Sequence, residues 1–598
     1  MNCAREKAES MSDLAAERIH HPAPGEAQLT IRALLAGGAL GGLLAVMNLY
    51  AGLTIGLTVG GSLMITVLAL AFFSALRVQR RYSALEANIT QTMGSAAGAM
   101  ASATGLLAPL PAMALAGVGL SAFELIVWSL TITYLGVFLA SALRRHFILV
   151  EKLTFPSGTA TARTIASLTQ DAEEAVAQTR VLSWFGAATV LWSALVYFLP
   201  EAGTPPLALA WSGFATLATW TMVFSIEPLL FGVGALIGPA VSMTLLAGAI
   251  LAWGVLGPLA VDSGWTSDDV VDLTGVWGWL LWPGIGLVLV ESLISLFGGL
   301  TGLVRGLRAR NVADESGDDI PQTWWAMGML TVCVAICLVA TTVFSIPLGM
   351  VLLGLVLSVI LAVVAAYSTG MTDINPAAPV GSLTQVATGA MAPSLVDANL
   401  MTSSITIAGA SQAGDLMQDF KTGYLIGASP RRQFIAQILG STVGVAVVVP
   451  FYLLIESSGK LATGELAAPF VRMYASVSRL VSHGLSSIPS SAIWAMAIAA
   501  TIGGILALLR RTGVARWAPS GLILGLAFMV PASMAIAIAM GALLSQLWKR
   551  RAPAQHQRFV SIVACALIAG ASIAGVGTTL MQLYGVPTFT DGMGNWIF

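Results

Sequence analysis

Long apolar runs that carry almost no charge dominate this chain of 598 residues. Each run is about 20 residues long, which is the length an α-helix needs to cross a hydrocarbon layer about 30 Å thick. Charged residues make up 10% of the chain, whereas soluble domains carry about 25%. The sequence therefore predicts an all-α, polytopic membrane helix bundle and excludes a soluble globular fold.

The runs predict about 14–17 spans, some of them broken or re-entrant. The first half contains apolar runs at 32–54, 56–76, 86–108, 117–143, 181–199, 206–226, 228–256 and 276–304. The second half contains runs at 324–344, 347–367, 376–394, 397–419, 433–455, 487–509, 517–547 and 559–584. Because the 517–547 run lies between two basic clusters, we expect two short spans or a broken hairpin around Pro531.

Basic residues collect in alternate loops of the first half, at Arg80, Arg145 and Arg308 among others, whereas the loop containing Asp268 has acids and no base. The positive-inside rule then places the N-terminus in the cytoplasm of a protein that spans a cell inner membrane many times. The net charge of −1 gives no reason to expect nucleic acid as a partner. Membrane lipid is the expected surrounding.

Two segments of the chain resemble each other. Glu86-Ala87-Asn88-Ile89 matches Asp397-Ala398-Asn399-Leu400 at an offset of 397 − 86 = 311. This match predicts two related transmembrane halves, 29–310 and 324–585, joined by a cytoplasmic linker at 311–323. A disordered cytoplasmic tail, 1–28, and a C-terminal tail, 586–598, are expected to flank them. Bases follow the 117–143 run but precede its counterpart at 433–455, so the choice between parallel and inverted repeats is left open.

Signatures of enzymes and metal sites are missing. The sequence contains no HExxH, no GxxxxGK[ST] and no CxxC, and its five histidines lie outside the apolar runs. The four cysteines are scattered and are interpreted as packing residues. We therefore expect no enzymatic activity, no cofactor and no bound metal of the protein's own.

Polar and Gly/Pro-rich segments interrupt the apolar sequence, and they are expected to mark the pathway because unwound backbone is tolerated in a membrane only inside protein or along a wet cavity. They are 48–61, 86–104, 152–162 and 373–424. Residues 415–424 read Asp-Leu-Met-Gln-Asp-Phe-Lys-Thr-Gly-Tyr, and residues 152–162 read Lys-Leu-Thr-Phe-Pro-Ser-Gly-Thr-Ala-Thr-Ala.

These two runs resemble motifs of the oligopeptide transporter family, near the branch of plant yellow-stripe-like metal-chelate carriers. Phe155 stands where that branch usually has tyrosine. The resemblance covers roughly residues 30–585. It implies proton-coupled import of peptides or of peptide-like metal chelates.

The expected substrate site lies between the halves, where Glu86 and Asn88 would face Asp397 and Asn399 across a pseudo-twofold axis. Its lining is predicted to be Asn48, Tyr50, Asn88, Gln91, Pro156, Ser157, Gly158, Asp397, Asn399, Asp415, Asp419, Lys421 and Tyr424. Asp415 and Asp419 share a helix face and either bind solute or protons, or pair with Lys421 and Arg431.

Two further features of the site have alternatives. The Pro156-Ser157-Gly158 break either presents backbone amides to an anionic substrate or is only the entry to a short helix. Proton coupling is expected at Glu86 and Glu291. Glu291 lies in the middle of an apolar run, where an unpaired carboxylate is costly, so proton handling is favoured over a structural ion pair.

The sequence thus predicts a secondary active transporter that works by alternating access. Its partners are a small-molecule substrate, protons and lipid, and a homo-oligomer is left open. The alternatives are a passive channel for small solutes and an intramembrane enzyme.

Overall fold

The computed structural model describes residues 18–23, 25–56, 58, 60–75, 82–169, 172–203, 217–268, 275–308, 319–372, 375–463, 466–484, 488–512, 518–584 and 586. Regular secondary structure in these ranges is helical. Eleven of the described helices are long and apolar enough to cross a membrane. The predicted all-α polytopic bundle is confirmed.

Nine labelled helices make up the first half. They are α1 (Ile31–Ile55), α2 (Ser62–Ala75), α3 (Ala84–Gly98), α4 (Pro109–Leu115), α5 (Ala122–Arg144), α6 (Pro156–Leu168), α7 (Ala172–Phe198), α8 (Pro228–Ala249) and α9 (Val276–Arg308). Short helical turns lie at Met100–Ala103, Pro200–Gly203 and Gly257–Asp262, and π-helical segments at Arg145–Val150 and Ile250–Leu256.

Ten labelled helices follow in the second half. They are α10 (Gln322–Thr342), α11 (Leu348–Thr372), α12 (Ala377–Met391), α13 (Val396–Ile426), α14 (Pro430–Ser457), α15 (Pro469–His483), α16 (Ser490–Arg511), α17 (Gly521–Met529), α18 (Ala532–Arg551) and α19 (Pro553–Leu583). A further short turn lies at Lys460–Thr463.

Most predicted spans coincide with one of these helices, and the predicted break at Pro531 separates α17 from α18. The expected span 206–226 is wrong where it can be described, because residues 222–226 are not helical and Thr221 has a φ of 59°. Its residues 206–216 lie outside the described part. The short helices α6 and α15 are too short and too polar to register as spans.

The expected disordered N-terminal tail is partly wrong. Ile19 N donates to Leu425 O at 2.8 Å, and Ser83 Oγ donates to Ala27 O at 2.6 Å. These bonds hold the described residues of the segment against the end of α13 and the start of α3. Residues 1–17 and 24, most of the expected linker and nearly all of the expected C-terminal tail lie outside the described residues.

The two halves are inverted relative to each other. Gln433 Nε2 donates both to Thr92 Oγ1 on α3 and to Asp419 O on α13, at 3.2 and 2.8 Å, while Ser102 lies 2.8 Å from Ser411. Sequence numbers rise along one helix as they fall along the other, so the matched helices α3 and α13 run antiparallel. Inversion also explains why bases follow α5 but precede α14.

In each half, one helix packs against the central helix of the other half. On α5, Trp128 Nε1 donates to Ser404 Oγ of α13 at 2.8 Å. On α14, Gly440 leaves no room for a side chain against Met93 of α3. Small residues at such crossings let helix backbones approach closely. The core of the bundle is therefore the α3–α13 pair, with α5 packed against α13 and α14 packed against α3.

The structure shows a second pair of matched elements that the sequence does not reveal. Phe155 and Ala468 precede α6 and α15, each has a left-handed φ, of 42° and 40°, and each is followed by a proline. Phe155 N donates to Gly370 O at the end of α11, and Ala468 N donates to Leu53 O at the end of α1. Because α1 and α11 run in opposite directions, α6 and α15 start at opposite ends of the bundle.

Candidate transport site

A continuous chain of buried polar side chains lies where α3, α13 and α14 meet. Gln91 Nε2 donates to Asn88 Oδ1 at 3.2 Å and to Thr92 Oγ1 at 3.1 Å. Gln433 joins Thr92 to the backbone of Asp419. Because these side chains come from both halves, the cluster bridges the repeats. We call Asn88, Gln91, Thr92, Gln412, Asp419, Gln433 and Gln437 the polar cluster.

Gln437 extends the cluster toward the middle of α13, donating through Nε2 to Gln412 Oε1 at 2.8 Å. Several atoms of the cluster have no hydrogen-bond partner within the described part of the chain: Asn88 Nδ2, Gln91 Oε1, Gln412 Nε2, Gln437 Oε1 and Asp419 Oδ2. Buried polar atoms are nearly always paired, so unsatisfied donors and acceptors gathered in one place indicate a site for a polar ligand or for water.

Asp419 is the acid of the polar cluster, and it is buried with 1% of its surface exposed. Ser62 Oγ lies 3.4 Å from Asp419 Oδ1, and Gln91 and Ser95 lie close enough to interact with the carboxyl group. Asp415 lies one turn earlier on the same helix face and is less buried. A buried carboxylate is stable only with charge-neutralising or hydrogen-bonding partners, so this group is suited to bind a proton or a cationic part of a solute.

The Pro156-Ser157-Gly158 break forms the entry to the short helix α6, packed beside Asp419. Gly158 lies so close to Gln418 O that a side chain would clash, and Thr422 Oγ1 donates to Gly158 O at 2.8 Å. Pro156 is exposed and Ser157 is half-buried. The break is thus a helix entry in contact with α13, and its binding of substrate stays a prediction.

Lys421 and Tyr424 lie on the last turns of α13, beyond Asp419. The Lys421 ammonium is 5.5 Å from the centroid of the Tyr424 ring, and both residues are buried. Arg431, the other expected partner of the acids, stacks over Trp324 at 4.4 Å.

The other half of the predicted lining lies elsewhere. Asp397 is exposed at the start of α13, and Asn399 Nδ2 donates to Ala392 O at 3.3 Å. Asn399 and Asp419 are separated by about 30 Å along the helix, at 1.5 Å per residue. The expectation that Asn88 faces Asn399 is wrong, because inversion places the starts of α3 and α13 at opposite ends.

Asn48 and Tyr50 also stand apart from the polar cluster. Asn48 Nδ2 donates to Gly98 O at 3.1 Å, and Tyr50 packs against Gly575. Gly98 ends α3, about 15 Å along the helix from Asn88. These two residues hold α1 against α3 and α19.

Glu86 is held in an ion pair at the start of α3. Its carboxylate accepts from Arg32 Nη2 at 2.5 Å, from Thr30 Oγ1 at 2.7 Å and from Ser83 N at 3.1 Å. The last contact belongs to a capping box, which satisfies the free amides of the first helical turn.

Glu291 is likewise paired, so the structural ion pair that was the alternative to proton handling is present in the structure. It accepts from Arg510 Nη1 and Ser520 Oγ, both at 2.8 Å, and from Leu522 N at 3.0 Å, which caps the start of α17. Its pairing does not test the predicted role in proton coupling, which stays a prediction for both glutamates.

Sequence reasoning named Gln91 but missed the other three glutamines of the cluster, Gln412, Gln433 and Gln437. Gln433, Gln437 and Ser441 recur every four residues on α14, where most of their neighbours along the helix are apolar. A polar stripe of this period on a membrane span indicates a face turned to protein or solute, not to lipid.

An inverted repeat with short helices and a buried polar cluster between its halves is typical of secondary transporters. The family model described as OPT oligopeptide transporter protein matches residues 28–582. The chain therefore belongs to this family, as the two sequence motifs predicted, and it is a transporter, not an enzyme.

Curated relatives are similar to the chain over most of its length. A protein of Oryza sativa subsp. japonica named as a probable metal-nicotianamine transporter is 27% identical over 77% of this chain and 73% of its own. A Saccharomyces cerevisiae protein named as an oligopeptide transporter is 25% identical over 95% of this chain and 98% of its own. A protein of Arabidopsis thaliana, also named as a probable metal-nicotianamine transporter, is 27% identical over 76% of this chain and 71% of its own.

Proposed function

We propose that this transporter is a proton-coupled importer of short peptides or small peptide-like metal chelates, and that it works by alternating access. The proposal rests on the polar cluster, where buried amide and carboxyl atoms from both halves have no hydrogen-bond partner among the residues that the structure describes. A peptide or an amino-acid-derived chelate needs acceptors for its amines and donors for its carboxylates. Neutral amides supply both without the cost of burying a charge.

The two kinds of relative differ in substrate by name, one group by metal-nicotianamine and the other by oligopeptide. Both substrate classes combine amines with carboxylates. The polar cluster suits this shared chemistry, and any transported metal is proposed to enter already wrapped by its chelator.

Alternating access is supported by a difference between matched helices. Pro156 and Ala160 of α6 are exposed, whereas the matching residues Pro469 and Met473 of α15 are buried. In an inverted repeat, exchanging the conformations of the two halves exchanges these environments and opens the opposite side. We propose that this structure is open at the α6 end and, from the distribution of bases, that this end faces the cytoplasm.

Proton coupling is proposed to use the buried carboxyl group of Asp419, with Glu86 and Glu291 as further candidates. A proton moving down a membrane potential supplies about 2.3 kcal/mol per 100 mV. Protonation neutralises Asp419 and changes its hydrogen bonding next to the α6 entry. Binding of a proton to Asp419 is thereby coupled to the packing of α6, the helix whose exposure differs from that of its mate α15.

The test is uptake into proteoliposomes containing the purified full-length chain, with trialanine and with nickel–nicotianamine, with and without an inward proton gradient. Accumulation above the outside concentration, lost on addition of an uncoupler, is expected. Equilibration without accumulation would identify a passive channel. No uptake of either probe above protein-free liposomes contradicts the proposed substrate class.

A further inference from the structure

Arg472 is a buried cation that the polar cluster does not include. It lies on the first turn of α15 with 5% of its surface exposed. Its Nε donates to Ala467 O at 2.7 Å, and its guanidinium carbon lies 4.2 Å from the centroid of the Trp277 ring. Within the described part of the chain, no carboxylate forms an ion pair with it.

Two contacts hold the guanidinium group of Arg472, one at its Nε edge and one on its planar face. The Nε edge is fixed by the carbonyl of Ala467 and the plane is stacked on Trp277, so the terminal nitrogens are left to other partners. Among the described residues neither terminal nitrogen has an acceptor. A buried guanidinium is costly without an anion, and its two terminal N–H groups match a carboxylate in a bidentate geometry.

The stacking partner is itself rigid. Trp277 Nε1 donates to Met529 O at 3.1 Å, and Trp253 Nε1 donates to Val530 O at 2.9 Å. These carbonyls end α17 at the break before Pro531. Arg472 therefore packs against a tryptophan side chain that is fixed by a hydrogen bond, at the place where α15 contacts the break between α17 and α18.

The position of Arg472 follows from the inverted repeat. The start of α6 packs beside Asp419 at one end of the bundle, and the start of α15 is its mate at the other end. The residue of α6 that matches Arg472 is Thr159, at 472 − 313 = 159, so the charge is present in one repeat and not in the other. The difference gives the two ends of the pathway different chemistry.

We propose that Arg472 binds the carboxylate of the transported solute at the end of the pathway opposite to Asp419. The inference rests on the proposed function and narrows it, because the solute class is one with a free carboxylate. The alternative is that the Arg472–Trp277 stack only holds α15 in place.

The first test measures how strongly trialanine, and trialanine amide, which lacks the free carboxylate, each compete with the uptake of labelled trialanine. Arg472→Gln is expected to weaken the apparent affinity for trialanine at least tenfold and to leave that for the amide unchanged. Arg479→Gln is the matched control, since Arg479 is exposed on the same helix. Equal losses for the acid and the amide, or no loss for either, overturn the proposal.

A second test needs no transport. Purified full-length protein is treated with phenylglyoxal, which modifies arginine, and the sites are mapped by mass spectrometry. Acetate is expected to slow modification of Arg472 but not of Arg479, and acetamide is expected to slow neither. If acetate gives no protection, or Arg472 is never modified, the proposal fails. If the wild type carries neither trialanine nor the chelate, the proposed function fails while this result still decides the role of Arg472.

Discussion

Asn88 and Asn399 are matched residues of the two repeats, and the structure assigns them different roles. Asn88 lies in the polar cluster, where its Oδ1 accepts from Gln91 Nε2, whereas Asn399 lies near the start of α13, where its Nδ2 donates to Ala392 O. Asn88→Ala is expected to weaken the affinity for a transported peptide or chelate about tenfold, or about 1.4 kcal/mol. One lost polar contact is worth about 0.5–1.5 kcal/mol, so the expected effect is at the upper end of this range.

Folding should survive the Asn88 substitution. Asn88 Oδ1 accepts from Gln91 Nε2, which keeps its second bond to Thr92 Oγ1 at 3.1 Å when the asparagine is removed. The variant should therefore elute and unfold like the wild type, and the loss should appear in the concentration dependence of uptake.

Asn399→Ala supplies the matched control, because it removes the same amide from the mate position. It is expected to leave the affinity unchanged. If Asn399→Ala weakens affinity as much as Asn88→Ala, or if both variants keep wild-type affinity, the assignment of the site to the polar cluster is refuted.

Three further predictions follow from the fold. Gly158→Ala should lower the thermal stability of the purified protein, by about 1–3 kcal/mol, because a methyl group there clashes with backbone; Gly119→Ala, at an open position, should not. Single cysteines at Lys152 and Asp268 should react from opposite sides with an impermeant thiol reagent, and labelling from one side would overturn the assigned topology. Glu291→Gln should abolish gradient-driven accumulation and keep part of the substrate exchange if Glu291 couples the proton, whereas parallel loss of both together with thermal stability would make it a cap of α17.

The spans were predictable because hydrocarbon requires long apolar helices, and α1, α5 and α14 lie close to their expected bounds. The short helix α15 was not predicted, and α6 was predicted only as one alternative for the Pro156-Ser157-Gly158 break, because membrane thickness does not set the length of a helix that is buried among others. Their relation is visible only in the backbone: apart from the proline, Phe155-Pro156-Ser157 and Ala468-Pro469-Phe470 have no residue in common.

The site was predictable in part. The motif residues Asp419 and Gly158 come together because both belong to the α6–α13 contact. The pairing of Glu291 with Arg510 joins residues more than 200 positions apart, and no local pattern specifies it. The direction of the repeats needed helix contacts, since a sequence match has no orientation in space.

We propose that a proton on the buried carboxyl group of Asp419 drives solute movement. The most direct measurement is gradient-driven accumulation and solute exchange in proteoliposomes containing Asp419→Asn, where the amide has the shape of the protonated acid and cannot release a proton. Loss of accumulation with retained exchange is predicted. Accumulation equal to that of the wild type would show that Asp419 does not carry the coupling proton.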